Sequence, residues 1–110
     1  MPFPWRGAVL LLLFQRPVPP ADPPRTLLRQ ALRAVEGDSV SAARARWSHA
    51  LDRDPADRTA LLALGSLARL TYDYAQADAH LERVVALRAE DAYADCARLE
   101  QGMALLVRGR

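Results

Sequence analysis

Thirty-four residues separate Leu27 from Leu61, Ala31 from Gly65, Ala43 from Ala77, Trp47 from Leu81 and Ala50 from Val84. All ten positions are apolar or glycine, and the small residues fall opposite small ones. A recurrence of this length, carried by two amphipathic segments per period, is the mark of stacked helix-turn-helix units. The clearest copy is 61–87, LLALGSLARLTYDYAQADAHLERVVAL. Leu61, Leu64, Gly65 and Ala68 share one face of a helix, and Ala77, Leu81, Val84 and Val85 share one face of a second. A tight turn at Tyr72-Asp73 joins them. Glycine inside a helix costs about 1 kcal/mol against alanine, so Gly65 calls for a packing reason: close approach of the second helix. Forward of this copy the interval lengthens to 37, from Gly65 to Gly102, which predicts three extra residues around Ala89–Asp91.

On these residues the chain resembles the tetratricopeptide repeat family. Leu61, Leu64, Gly65, Tyr74 and Ala77 match its pattern in the middle copy. In the earlier copy Leu27, Ala31, Ala43, Trp47, Ala50 and Pro55 match. Gln30 stands where a leucine is usual, and Ala89 replaces the closing proline of the middle copy. The resemblance covers roughly residues 24–110. It implies an all-α fold, a right-handed α-solenoid of antiparallel helical hairpins with about two and a half repeats in five helices. The packing positions are then Leu27, Ala31, Ala43, Trp47, Ala50, Pro55, Leu61, Leu64, Gly65, Tyr74, Ala77, Leu81 and Gly102. It also implies a non-catalytic scaffold that binds a protein or peptide partner.

Composition agrees with helices: Ala, Leu and Arg dominate, and the single cysteine excludes an internal disulfide. The first helix is expected over 25–36, between Pro23-Pro24 and Gly37, and the second over 40–53 after a cap at Asp38 or Ser39. In Asp54-Pro55-Ala56-Asp57, Asp54 suits an N-cap, Pro55 the first helical position, and Asp57 the positive end of the dipole. That helix runs to about Leu70, the fourth from Tyr74 to Arg88, and the fifth from Ala92 to before Gly109.

Residues 1–24 form a leader of different character. An apolar run, Ala8–Phe14, follows Arg6 and precedes a proline-rich segment. Seven residues fall far short of the roughly 20 that span a bilayer, so no transmembrane span is expected. The run is compatible with a secretory signal peptide cut after Ala21, although Pro19 and Pro20 make that cut poor. An uncleaved flexible leader and a misplaced start codon are the other readings. The chain is then exported or periplasmic on the first reading and cytoplasmic otherwise. The leader also accounts for the charge. All 15 basic residues are arginine and two lie before Ala21, whereas all 13 acidic residues lie after it, leaving a neutral body. That balance argues against nucleic acid as the partner.

No motif for metal, phosphate or nucleophilic chemistry is present: no HExxH, no cysteine pair, no glycine-rich loop, no nucleophile elbow. No cofactor, metal or catalytic residue is assigned. His49 and His80 are expected on outward faces, and Cys96 as a small buried or half-buried thiol. Asp52, Asp54 and Asp57 are explained by capping, and Arg29, Arg33, Arg44 and Arg46 by a solvated face. Arginine-mediated anion binding is the competing reading.

By the resemblance, the first helix of each pair lines a concave surface. Carried over by position, that lining is Leu28, Leu32, Thr59, Leu62, Ser66, Arg69, Leu99 and Met103, mostly apolar with one arginine. Relatives that clamp a C-terminal carboxylate present Lys, Arg and Asn there. The leucines instead imply an apolar segment or amphipathic helix as ligand, or else packing against the chain's own helices. The end of the chain has three readings. If Gly102 is the equivalent of Gly65, Gly109-Arg110 is the turn before a missing sixth helix. The chain is then the N-terminal piece of a longer array, or another chain or a second copy covers this end. Alternatively Asp95, Arg98, Glu100, Gln101 and Arg108 make the fifth helix polar enough to serve as a cap.

Overall fold

The computed structural model describes residues 23–108. These form five α-helices, α1 (Pro24–Glu36), α2 (Val40–Arg53), α3 (Arg58–Leu70), α4 (Tyr74–Leu87) and α5 (Ala92–Val107), with no strand among them. The fold is therefore all-α. Residues 1–22 of the leader and Gly109-Arg110 lie outside the described residues, and Pro24, expected to close the leader, opens α1.

The helix starts keep the 34-residue step throughout. Pro24, Arg58 and Ala92 open the odd helices, and Val40 and Tyr74 the even ones. The three residues expected to be inserted around Ala89–Asp91 are not there. Counted from these starts, the position of Ala31 and Gly65 is taken by Leu99, and Gly102 falls at the position of Ala68. Gly102 is exposed, and a Cβ added to it would meet nothing within 4 Å.

Backbone caps explain why the step is so regular. At the end of α3, Tyr72 has φ 65°, and the N–H groups of Tyr72 and Asp73 bond the carbonyls of Arg69 (3.1 Å) and Ala68 (2.8 Å). This is the Schellman arrangement, which satisfies carbonyls that a helix end leaves orphaned. One period earlier Asp38 has φ 54°, and Asp38 and Ser39 bond Val35 and Ala34 in the same way. The left-handed residue at the end of α1 is thus Asp38, not Gly37. Helices α4 and α5 are also held at their starts: Asp73 Oδ1 accepts from the N–H of Gln76 at 3.3 Å, and Asp91 Oδ1 from that of Ala94 at 3.0 Å. The cap expected for α2 does not form, because the Ser39 hydroxyl instead donates back to Ala34 O at 3.4 Å.

The loop at Asp54 departs from expectation. Asp54 accepts from the N–H of Ala56 at 3.0 Å, and Asp57 caps α3 by accepting from Ala60 at 3.1 Å. The helix opens at Arg58, because the aspartate-proline turn consumes one local bond before the backbone can start a helix.

Helix α3 is the centre of the molecule. Every residue from Ala60 to Ala68 is buried, and the helix packs against all four others. A helix apolar on all sides is stable only when enclosed. Leu61, Leu62, Leu67, Leu81 and Val84 are almost fully covered, each burial being worth about 1.5–3 kcal/mol. Gly65 lets α4 come close: a Cβ there would stand 2.6 Å from Leu81 Cδ2 and 2.7 Å from its Cγ. Leu27, Ala31, Trp47, Leu64 and Ala77 are buried as well, Ala43, Ala50 and Tyr74 are half-buried, and Pro55 is exposed. On α5, Ala94, Ala97 and Ala104 face inward with no exposure, whereas Leu99, Leu105, Leu106 and Val107 face solvent.

Candidate functional site

The first-helix positions 28 and 32 on α1 are one turn apart, and Ser66, Arg69 and Leu70 share a face of α3. Packing of α1 on α3 through Leu27, Ala31 and Ala34 sets these two faces side by side. Together with Arg25 and Arg29 of α1 and Glu100 of α5 they line a groove of about 280 Å³. Its walls are leucine, its rim is arginine, and its far side ends on an ion pair.

That pair sets the local electrostatics. Glu100 is buried, and its carboxylate accepts from Arg69 Nε and, at 3.3 Å, from Arg69 Nη2. Two hydrogen bonds and an opposite charge satisfy a carboxylate that would otherwise be costly to remove from water. Ser66 is different. Its Oγ is buried and has no hydrogen-bond partner among the described residues. An unpaired buried hydroxyl costs about 1–3 kcal/mol, so the groove has an unmet polar valence at its floor.

Of the residues assigned from the sequence, Leu28, Leu32, Ser66 and Arg69 come together here. Leu62 is 0 % exposed and belongs to the core, since α3 turns that face towards its neighbours. Thr59 and Met103 are half-buried and Leu99 is exposed; none of the three lines the groove. Arg25, Arg29, Leu70 and Glu100 were not foreseen. Glu100 in particular reads as a polar surface residue of the last helix, yet it is 2 % exposed. The uninterrupted period carries the signal that would have found it: Leu32, Ser66 and Glu100 are successive copies of one position.

No family model, curated protein or solved structure matches this chain. The site is therefore read from its own geometry.

A second, larger hollow of about 600 Å³ lies among α2, α3 and α4 and is lined by Arg44, Ser48, Leu51, Asp52, Leu64, Ala68, Asp73, Gln76 and His80. It is more polar than the groove, and all its buried lining belongs to the core. His80 was expected on an outward face but is half-buried here, because its Cβ sits 3.6 Å from where a Gly65 Cβ would be. Burial pushes its pKa down, and the charge of Asp73 opposes that shift. His49 is exposed. Burial, then the charges of Glu100 and Asp95, push the Cys96 thiol up, away from the range of a reactive thiolate. Among the described residues, no cluster of three His, Cys, Asp or Glu side chains could hold a metal ion. No described helix is long and apolar enough to cross a membrane.

Several arginines are used inside the fold. Arg58 donates to Val84 O (3.2 Å), Arg88 O (2.9 Å) and Asp91 Oδ1 (2.8 Å), and its guanidinium lies over the Tyr93 ring. Its bond to Asp91 raises the Arg58 pKa and holds the Asp91 carboxyl well below the usual carboxylate range. Arg108 donates to Asp78 at 3.1 Å and stacks over Tyr74, and Arg46 stacks over Trp47.

Proposed function

We propose that the chain is a non-catalytic interaction module, a short α-solenoid of helical hairpins of tetratricopeptide type, which binds a peptide or helix along the α1–α3 groove. The observation that carries this reading is the groove itself: Leu28 and Leu32 left partly exposed as its walls beneath the Arg25 and Arg29 rim. An apolar ligand side chain gains by covering the leucines. Arg25 and Arg29 at the rim add preference for acidic flanking residues, chiefly through the association rate.

Anion binding through the arginines is the weaker reading, because Arg58, Arg69 and Arg108 are already engaged with carboxylates. Affinity selection from a random peptide library against the full chain tests the proposal. Enriched sequences should be apolar with acidic flanks, and Leu32→Arg should abolish their binding while leaving the helical circular dichroism intact. Enrichment of nothing, or of peptides indifferent to Leu32→Arg, would refute it.

A further inference from the structure

The α1 wall of the groove carries two rows side by side. Arg25 and Arg29 stand one turn apart, and so do Leu28 and Leu32, with both pairs on one face of the helix. Both arginines are exposed, and neither makes a hydrogen bond or ion pair with any described residue. The third guanidinium of the lining, Arg69, is engaged by the buried Glu100. One carboxylate thus cancels one arginine, and the positive excess of the groove resides wholly on α1. We infer that the partner is an amphipathic helix whose two carboxylates, one turn apart, meet Arg25 and Arg29, while two large apolar residues beside them cover Leu28 and Leu32. The inference rests on the groove reading above and names the partner of that site.

Charge and spacing choose this occupant over three others. Residues 1–21 of the chain's own leader carry Arg6 and Arg16 and no acid, so they oppose the arginine row rather than complement it. A second copy meeting this face with its own would set the same arginines against each other. An extended segment alternates its side chains between opposite faces, so it can offer α1 a row of acids or a row of apolar residues but not both. A helix offers both rows, because residues three and four apart lie together, and its pitch of about 5.4 Å matches that of α1. Apolar residues seated on the leucines also keep water away from the arginine–carboxylate pairs, which strengthens them. Glu100 adds a restriction. A partner acid placed against Arg69 meets a guanidinium already bonded twice and a carboxylate of its own sign, so acids are read at Arg25 and Arg29 alone.

The test uses the full chain and two labelled helical peptides of one composition, followed by fluorescence anisotropy. In one peptide the two glutamates lie in the row beside the leucine pair; in its isomer they lie on the opposite face. The first should bind about fivefold more tightly at low salt, the gain two partly exposed ion pairs supply, and the preference should shrink as salt screens them. In the Arg25→Gln/Arg29→Gln chain the isomers should bind alike, still through the leucines, with helicity unchanged because both arginines are exposed. A third peptide, with a proline between its leucines, should lose affinity together with its helix. Equal binding of the isomers to the native chain, or a preference that survives in the Arg25→Gln/Arg29→Gln chain, overturns the acidic partner and leaves the groove reading standing. Undiminished binding of the proline peptide overturns the helical partner. If no peptide binds, the groove reading fails and the inference falls with it.

Discussion

Replacing each of two helical glycines by alanine should move stability in opposite directions. The helix-propensity gain is common to both, about 1 kcal/mol in favour of alanine. At Gly102 the new methyl meets nothing within 4 Å, so the full gain should appear. At Gly65 it would stand 2.6 Å from Leu81 Cδ2 and 2.7 Å from Cγ, well inside carbon contact distance. Leu81 has no exposure and cannot swing aside, and forcing a methyl into a packed core costs about 1–3 kcal/mol. Net of propensity, Gly65→Ala should destabilise by up to about 2 kcal/mol, and the two variants should differ by about 1–3 kcal/mol. Thermal unfolding reads this directly. Each kcal/mol shifts Tm by about 4–8 °C in a domain of this size, so Gly102→Ala should melt above the native chain and Gly65→Ala at or below it. If both substitutions raise Tm equally, the close α3–α4 contact is wrong, and with it the reason for a glycine at 65.

Tyr72 is 75 % exposed and held at φ 65°, so Tyr72→Gly should stabilise by up to about 1 kcal/mol, seen as a higher urea midpoint with an unchanged m-value. Glu100→Ala strips the partner from Arg69, which keeps 18 % side-chain exposure; the loss should be about 2–3 kcal/mol by chemical denaturation, and Arg69→Met should recover part of it. Folding lowers the pKa of His80, so the unfolded chain binds more protons near pH 6. Stability should therefore fall as pH drops through that range, and His80→Gln should flatten the slope. Folding also lowers the pKa of Asp91. Its contribution should be complete above the unfolded value of about 4 and be lost in acid below it, and Asp91→Asn should shrink the acid-induced drop in Tm.

Much of the fold was legible because it rests on local signals. Apolar spacing fixes each helix, and Gly, Pro and Asp punctuate them, so every boundary falls within a few residues of its expected place. The errors come from two sources. Gly102 resembled Gly65 by residue type, and matching them implied an insertion; Asp57 and Asp91, the true capping aspartates, preserve the period instead. Groove membership was harder, because a helix face is assigned by spacing while the groove is cut by three helices together. Leu62 shares the spacing of Ser66 but turns into the core, and Glu100 looks like surface until Arg69 is placed beside it. A charged residue can be buried only when its partner arrives from another helix, and no window on one helix shows that.

For the proposed binding role, the divergence among copies matters more than their likeness. Backbone caps hold the helices in register, leaving the side chains at a given position free to differ. At one such position the three odd helices carry Leu32, Ser66 and Glu100, and all three reach the same groove. An apolar wall, an unpaired hydroxyl and a paired carboxylate then follow one another across its floor. On the proposed binding role, a ligand with an apolar end and a polar end would lie in one orientation only, its apolar end on Leu32 and its polar end towards the Arg69–Glu100 pair. Identical repeats would offer no such direction, so the polarity of the groove arises where the period is kept by the backbone and broken by the side chain.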